Sequence, residues 1–314
     1  MLRHVLFRLA GSLPTLLLVS LLVFCLLRLM SGDPAALLVG DLASAEELQR
    51  VRAQLGLDQP LPLQYLAWLN TVLHGNLGVS LMTDQPVLPT LLHRFGVTAQ
   101  IVLPAFVIAA MLAVPAGILA ARLQGRAADS AIVLLATLTI SMPSFWIGML
   151  LILLFGVELG WLPTMGFAPI SNGFTVWAEH AVMPITTLAL IETAILVRLI
   201  RASAIEVLRQ DYVDYARAKG LGERTILLRH VLRNVLSPTV TMLGLILGSL
   251  LSGTTVTETL FGIPGLGSFL VEAIYARDYP TIQGTLLFVI LLYTAINLAI
   301  DLLYPLIDPR VRLR

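Results

Sequence analysis

The chain alternates long apolar runs with short polar connections. Cutting the sequence at its charged residues leaves six long runs that are uncharged or nearly so. These runs cover residues 9–27, 95–121, 130–157, 180–197, 234–257 and 279–300. Each is close to the ~20 residues that cross a bilayer as an α-helix. The pattern therefore predicts an all-α membrane protein with six transmembrane helices.

Composition supports this prediction. Of the 314 residues, 57% are hydrophobic and only 12% are charged, which is more apolar surface than a soluble core of this size can bury. The first run also resembles a secretory signal peptide, but it is long and Ser31-Gly32-Asp33-Pro34 offers no small-x-small cleavage site. We interpret it as the first membrane helix. The single cysteine, Cys25, excludes an intramolecular disulfide and a cysteine metal site.

The basic residues predict the orientation. Assigning alternate connections to opposite sides places fifteen of the 20 Lys and Arg residues on one side and five on the other. Short basic loops are retained in the cytoplasm. Both termini are therefore predicted to be cytoplasmic, and a net charge of only +1 gives no indication of nucleic-acid binding.

The predicted organisation has three parts: a first transmembrane helix (1–31), an extracytoplasmic segment with short helices (32–94) and a five-helix core (95–314). In the outer segment, Ser44 and Glu47 have the spacing of a capping box, and Gly56 is suited to end the helix that follows. This segment either covers the bundle or docks a solute-delivering partner. Both interpretations remain open.

The inner connection, residues 198–233, is about 36 residues long, and connections of this length are usually functional or structured. It is predicted to continue the fourth span and then to form a second short helix that Gly220 ends. One face of this helix is formed by Tyr212, Tyr215 and Ala216. It is surrounded by the charged residues Asp214, Arg217 and Lys219, and the segment begins at Asp211. This face suits a groove on a partner, and the alternative is a solvated charged hairpin.

The sequence lacks the common motifs for nucleotide binding, for hydrolysis and for metal binding. Lys219 is the only lysine and is followed by Gly220, so the phosphate-binding pattern GxxxxGK[ST] occurs nowhere. Neither GxSxG nor HExxH is present, and the histidines lack metal-ligand spacing. We expect no catalytic residue, no metal site and no cofactor in this chain, so ATP and Mg²⁺, if used, would be bound by partner subunits.

Glu192 is the clearest charge inside a predicted span, and such groups normally face a bundle interior or a water-filled cavity. It either contacts a passing solute, such as a peptide amino group, or forms a structural pair with Arg198 or a partner subunit. Further pathway candidates at the outer end of the fifth span are Thr254, Thr257 and Glu258. The adjacent Gly- and Pro-rich loop is a candidate outer gate, with Phe261, Pro264, Gly265 and Gly267.

Several motifs along the chain resemble one family. They include Asp211-Tyr212-Val213-Asp214-Tyr215-Ala216-Arg217-Ala218-Lys219-Gly220-Leu221, Gly75-Asn76-Leu77-Gly78-Val79-Ser80, Ser141-Met142-Pro143, Pro264-Gly265-Leu266-Gly267, Arg277-Asp278-Tyr279-Pro280 and Asp308-Pro309-Arg310. Together they resemble the permeases of dipeptide, oligopeptide, glutathione and nickel ABC importers. The first motif is similar to the EAA coupling loop of that family, and the resemblance extends over essentially the whole chain.

The resemblance implies a type I ABC importer permease of the B type in a bacterial inner membrane. Its implied partners are a second homologous permease, one or two ABC ATPase subunits that dock on the coupling loop, an extracytoplasmic solute-binding protein and membrane lipid. The implied substrates are dipeptides, oligopeptides or glutathione-like peptides, and the alternative within the family is a nickel or metal chelate.

Two other classes compete with this interpretation. A secondary transporter would need internal repeats and broken helices around a midplane ion site, and the sequence has no evident repeat and only one acidic residue in mid-span. A purely structural scaffold leaves the long inner connection unexplained. Both are therefore disfavoured by the sequence.

Overall fold

A computed structural model of the protein describes residues 2–29, 44–54 and 56–307. In this part of the chain the backbone is helical, with one isolated antiparallel bridge between Val79 and Pro86. The helices are α1 (Leu2–Leu29), α2 (Ala45–Gln54), α3 (Leu61–Leu73), α4 (Val87–Arg122), α5 (Ala127–Ser141), α6 (Ser144–Leu151), α7 (Phe174–Leu208), α8 (Asp211–Ala218), α9 (Glu223–Thr225), α10 (Leu232–Gly253), α11 (Thr255–Phe261), α12 (Leu266–Tyr275) and α13 (Tyr279–Ile307). Ile152–Glu158 and Ile226–Val231 are π-helical, and Ile170–Asn172 is a 3₁₀ turn. The all-α prediction is confirmed.

Several of these helices are long and apolar enough to cross a membrane. Three qualify alone: Val87–Arg122, Phe174–Leu208 and Tyr279–Ile300. Two bent pairs raise the number to five if each pair forms one span. In α1, the apolar helix Leu13–Cys25 matches part of the first predicted run. The count of six spans and the location of the termini stay predictions.

The chain divides into two compact units: Met1–Gly96 with Ser268–Thr294, and Val97–Gly267 with Ala295–Arg314. The first unit therefore draws on residues from both sides of position 95, where the sequence suggested a boundary, and the second unit lies wholly beyond it. The Asp308-Pro309-Arg310 motif lies outside the described residues.

In the first unit, the predicted capping box begins α2. The Ser44 backbone N–H donates to Glu47 Oε2 at 3.1 Å, and the Glu47 N–H donates to Ser44 Oγ at 3.2 Å. These bonds satisfy two backbone donors that the first turn of a helix leaves free. Gly56 follows with φ of +65°, a conformation that glycine adopts without steric cost. Both sequence predictions for this helix are confirmed.

Two motifs that are far apart in sequence meet in the same unit at the carboxylate of Asp278, which is buried. Ser80 Oγ donates to Asp278 Oδ2 at 2.5 Å, and the Leu81 N–H donates to Oδ1 at 3.2 Å. Thr281 Oγ1 donates to Oδ2 at 2.8 Å and thereby ties the carboxylate to the first turn of α13. Asp278 thus anchors the end of the 75–80 motif to the start of a predicted span.

In the second unit, α7 is the central helix and is buried along much of its length. Helices α5, α6 and α10 pack against it. Close approach depends on small residues: a Cβ at Gly117 would lie 2.7 Å from Ile200 Cγ2 of α7. Small residues at such contacts are typical of helix packing in membranes.

The predicted third span, residues 130–157, is not one continuous helix. Helix α5 ends at Ser141 and α6 begins at Ser144, and the two segments meet at 99°. Pro143 is the N-cap of α6 and is extended, with ψ of 142°. A proline disfavours helical conformation in the residue before it, which explains the break at Met142. The single uninterrupted run that the sequence suggested for this span is therefore corrected.

Removing the Ser80 hydroxyl is expected to destabilise the first unit. Ser80→Ala leaves the buried Asp278 carboxylate without its shortest donor, which should cost about 1.5–3 kcal/mol because that bond involves a charged group. The measurement is the thermal unfolding of the purified protein in detergent. Thr83→Ala, at an exposed neighbouring position, is the matched control and should change the midpoint little. Equal midpoints for the two variants would contradict the role of this contact.

Candidate functional site

Helix α8 occupies the centre of the inner connection and ends as the sequence predicts. The helix runs from Asp211 to Ala218, and Gly220 follows with φ of +80°. The Leu221 N–H donates to the Ala216 carbonyl at 3.2 Å, and the Gly220 N–H donates to the Arg217 carbonyl at 2.9 Å. This pair of bonds is a Schellman motif. The 211–221 segment is therefore a short helix with a defined stop.

The two faces of α8 differ from the prediction in one respect. Ala216 is buried together with Val213, and α8 packs against the π-helical segment Ile226–Val231. Tyr212 and Tyr215 are exposed, the latter at 64%. The grouping of Ala216 with the tyrosines as one outward face is wrong, because the small residue faces the chain's own interior.

The two tyrosines have different surroundings. Asn234 Nδ2 donates to the Tyr212 hydroxyl at 3.1 Å, which ties this side chain to α10. Tyr215 instead has the Lys219 ammonium 4.6 Å from its ring centroid. The most exposed aromatic group of α8 is therefore Tyr215, with a cation over its ring.

Arg217 links α8 to the next helix. Its guanidinium lies 2.9 Å from Glu223 and 3.0 Å from Asp214. The hydrogen bond that Arg217 donates to Glu223, together with the charge of that carboxylate, raises the pKa of Arg217 above its ordinary value. Because all three side chains are largely exposed, such pairs contribute only ~0–1 kcal/mol each. They orient the chain between α8 and α9 more than they stabilise it.

A second contact near the inner connection involves residues that sequence reasoning missed. Arg201, near the end of α7, forms a bidentate ion pair with Asp129 in the first turn of α5. Its Nε lies 2.6 Å from Oδ1 and its Nη2 lies 2.8 Å from Oδ2. The Gly125 N–H also donates to Oδ2 at 3.0 Å. Asp129 is buried, so the pair fastens the connection between α4 and α5 to α7.

An open groove of about 360 Å³ lies beside this pair. It is lined by Asp129, Ser130, Val133, Leu134, Thr137 and Arg201.

The only local signal in the sequence for the Asp129–Arg201 pair was one acidic residue beside an apolar run. The partner of that acid, Arg201, lies 72 residues away. A local pattern cannot reveal such pairing.

Glu258 is buried and bound on both carboxylate oxygens. Thr98 Oγ1 donates to Oε1 at 2.6 Å, and the Gly267 N–H donates to Oε2 at 2.7 Å. The Leu266 N–H donates to Thr98 Oγ1 at 2.9 Å. Thr254 Oγ1 donates to Oε1 at 3.2 Å. These bonds hold the 261–267 loop against α4 and α11.

The candidate gate residues surround this carboxylate. A Cβ at Gly265 would overlap the Glu258 carboxylate, so no side chain fits at that position. Phe261 is buried, and its carbonyl accepts the Gly166 N–H at 2.8 Å, whereas Pro264 is exposed. Thr254 and Thr257 are buried as well. In this structure Glu258 therefore anchors a loop, and it does not face an open cavity.

Glu192 lies in the middle of α7 and is buried, and its Oε2 atom has no hydrogen-bond partner in the described part of the chain. The pair with Arg198, one of the alternatives that the sequence left open, does not form. The two residues are six positions apart, which places them about 120° apart around the helix and about 9 Å apart along it, and Arg198 is exposed. That pairing is corrected.

Comparison with protein families gives two matches that together cover most of the chain. Residues 113–313 match the family described as binding-protein-dependent transport system inner membrane component. Residues 1–102 match the N-terminal part of the membrane components of the same systems.

Similar proteins extend over nearly the full length. The glutathione transport system permease protein GsiC of Escherichia coli (strain K12) is 42% identical over 312 residues, 99% of each chain. A protein of Brucella abortus (strain 2308), named as a permease of a peptide transport system, is 42% identical over 305 residues, 97% of each chain.

A solved structure shares the fold. The structure titled inward facing conformations of the MetNI methionine ABC transporter aligns with a TM-score of 0.56 at 16% identity. The alignment covers 69% of this chain and 96% of the other. The type I importer permease fold is therefore confirmed.

Adding a methyl group at Gly265 is expected to destabilise the second unit. Gly265→Ala forces the Glu258 carboxylate or the loop to move, and overpacking of this kind costs about 1–3 kcal/mol. The matched control is Gly96→Ala, since Gly96 is helical and a Cβ there would meet nothing within 4 Å. Thermal unfolding in detergent should show a lower midpoint for Gly265→Ala alone. A lowered midpoint for both variants, or for neither, would argue against the loop anchor.

Proposed function

Because the chain belongs to the family of binding-protein-dependent transport system inner membrane components, we propose that it forms, with a second homologous permease, the pathway for peptides delivered by an extracytoplasmic binding protein. The chain is a multi-pass permease subunit of an ABC importer. Full-length similarity to permeases named for glutathione and peptide transport supports dipeptides, oligopeptides or glutathione-like peptides as the substrate class.

ATP hydrolysis is assigned to separate ATPase subunits, because the chain contains no sequence for binding nucleotide phosphates. The protein is assigned to the bacterial inner membrane with both termini in the cytoplasm, which the distribution of basic residues supports. In that orientation α8 lies on the side where the ATPases act. The 32–94 segment then faces the binding protein.

The observation that carries the coupling assignment is an exposed aromatic side chain on a stiff, well-capped helix. The Schellman motif at Gly220 and the burial of Val213 fix α8 on the chain's own surface. Tyr215 projects from that surface, and an exposed aromatic side chain on a helix suits a groove on a partner. Movement of an ATPase that holds Tyr215 would pass through α8 to its neighbours, α7 and the chain leading into α10.

Glu192 is assigned to the pathway. Its Oε2 atom is buried without a donor in the described residues, and an intramembrane carboxylate in this state normally faces a partner, a cavity or a substrate. A peptide amino group has the charge and the donors that this oxygen lacks. The alternative is a donor from the second permease.

Truncating Tyr215 is expected to weaken ATPase docking strongly. Tyr215→Ala removes a buried anchor of the proposed interface, at a cost of ~2 kcal/mol or more, which is roughly a thirtyfold loss of affinity. Lys219→Ala is the comparison variant and should cost less than ~1 kcal/mol, because it removes an exposed charge and its contact with the Tyr215 ring but leaves the ring in place. Gly220→Val should also impair docking, since valine disfavours the positive φ that ends α8.

Docking is measured as retention of the ATPase subunits by the purified permease pair, together with ATPase activity stimulated by the loaded binding protein. Unchanged docking and unchanged stimulation in both Tyr215→Ala and Gly220→Val would show that α8 is not the coupling element.

Neutralising Glu192 is expected to lower transport more than assembly. Glu192→Gln keeps the size of the side chain but removes its charge, and a loss of ~1.4 kcal/mol in an interaction with the solute corresponds to roughly a tenfold lower uptake rate. Uptake of a labelled dipeptide and of glutathione is measured in proteoliposomes holding the complete transporter. Glu179→Gln, at an exposed position of α7, is the control and should transport normally. A parallel loss of assembled complex and transport would favour a structural role instead.

A further inference from the structure

The segment between α1 and α4 contains two helices of opposite character. Helix α2 (Ala45–Gln54) carries four charged residues, Glu46, Glu47, Arg50 and Arg52. Helix α3 (Leu61–Leu73) carries none along its 13 residues. Since both helices belong to the same outer segment, this contrast indicates that they lie in different surroundings.

Exposure strengthens the contrast. In α2 the described side chains at the surface are mostly charged or polar. In α3 the surface carries Leu61, Leu63, Leu66 and Leu73, with between 52% and 76% of each side chain exposed. Several exposed leucines on one short helix indicate a contact with a partner or a membrane. Within the described residues, the chain leaves these four side chains uncovered.

The face of α3 that carries Tyr65 and Trp68 fixes the helix beside α1. The Tyr65 hydroxyl lies 2.8 Å from the Ser20 hydroxyl. The ring centroid of Phe24 lies 5.5 Å from that of Tyr65 and 5.8 Å from that of Trp68. The attachment point is therefore a cluster of three aromatic rings and one hydroxyl pair.

This cluster lies close to one end of a predicted span. The apolar run of α1 ends at Leu27, three residues beyond Phe24 and seven beyond Ser20, so the attachment lies between about 4.5 Å and about 10.5 Å from the end of the run along the helix axis. Amphipathic helices at a bilayer surface are buried ~5–10 Å into the boundary between headgroups and acyl chains. Tyr and Trp are enriched at this same depth. The attachment thus holds α3 at the depth of the interface.

We propose that α3 lies in the outer headgroup boundary of the bilayer, with its exposed leucines against lipid. Lipid is the favoured occupant because α3 carries no charged residue and is attached to a predicted membrane helix, α1, whose Leu17 and Leu21 are exposed as well. A water-exposed protein partner would contact α3 but would leave these leucines of α1 uncovered. The outer segment is therefore attached to the membrane through α3, while α2 lies in water.

The test places a fluorescent label on each helix of the complete transporter in proteoliposomes. In a Cys25→Ser background, Leu66→Cys reports on α3 and Gln49→Cys on α2, and both positions are exposed. Each cysteine carries the environment-sensitive dye NBD. The vesicles contain phosphatidylglycerol and phosphatidylcholine, with a nitroxide near either the carbonyl end or the methyl end of the acyl chain. Leu73→Cys replaces Leu66→Cys if the latter does not yield a complex that elutes as a single species.

The label on α3 should emit at shorter wavelength than the label on α2. The carbonyl-end nitroxide should quench the α3 label roughly threefold more strongly than the α2 label. That nitroxide should also quench α3 more than the methyl-end nitroxide does. Equal quenching of the two labels would overturn the proposal. So would protection of the α3 label only after the binding protein is added, because the occupant would then be that protein. Stronger quenching by the methyl-end nitroxide would place α3 within the hydrocarbon core and would also exclude the interface.

Discussion

A buried polar group needs a partner, and in a membrane protein water is seldom available to provide it. Three buried carboxylates of this chain meet the requirement in the same way, by accepting hydrogen bonds at the ends of helices. Asp278 binds the backbone of the 75–81 segment, Glu258 binds the loop that begins α12, and Asp129 binds the Gly125 N–H together with Arg201. At each place the carboxylate holds a non-helical stretch whose own N–H groups would otherwise lack acceptors. The loops of the permease are thus ordered by acids that look, in the sequence, like isolated charges.

The same requirement distinguishes Glu192. A carboxylate at a helix end finds free backbone donors, whereas one in the middle of α7 does not, because the N–H groups there already donate to carbonyls one turn earlier. Its donor must come from another side chain, another subunit or a solute. The described residues provide none to Oε2. Of the buried acids in the second unit, Glu192 is therefore the one whose position the fold itself does not explain.

Local features of the structure could be predicted from the sequence, and distant contacts could not. The capping box at Ser44 and the stop at Gly220 each depend on residues within about one helical turn, and both are confirmed. The inward packing of Ala216 and the loop contacts of Glu258 were not predicted, because each depends on what packs against the residue: the Ile226–Val231 segment in one case and Thr98 with Gly267 in the other. The Asp129–Arg201 pair joins residues 72 positions apart, and no spacing rule covers that distance. Helical periodicity describes one helix at a time, whereas the burial of a residue depends on how several helices pack together.

The motifs of this chain are of two kinds: those that contacts within the chain account for, and one that such contacts account for only in part. The Arg277-Asp278-Tyr279-Pro280 and Pro264-Gly265-Leu266-Gly267 motifs are accounted for by contacts within the chain, since Asp278 and Glu258 use their acceptors on neighbouring backbone and hydroxyl groups. The 211–221 motif is only half accounted for in this way: Val213 and Ala216 pack inward, while Tyr215 remains 64% exposed. A helix that is fixed on one face and presents an aromatic ring on the other can transmit force, because displacement of the ring must move the whole helix. The packed half of α8 makes the element stiff, and the exposed half gives a partner a place to hold it.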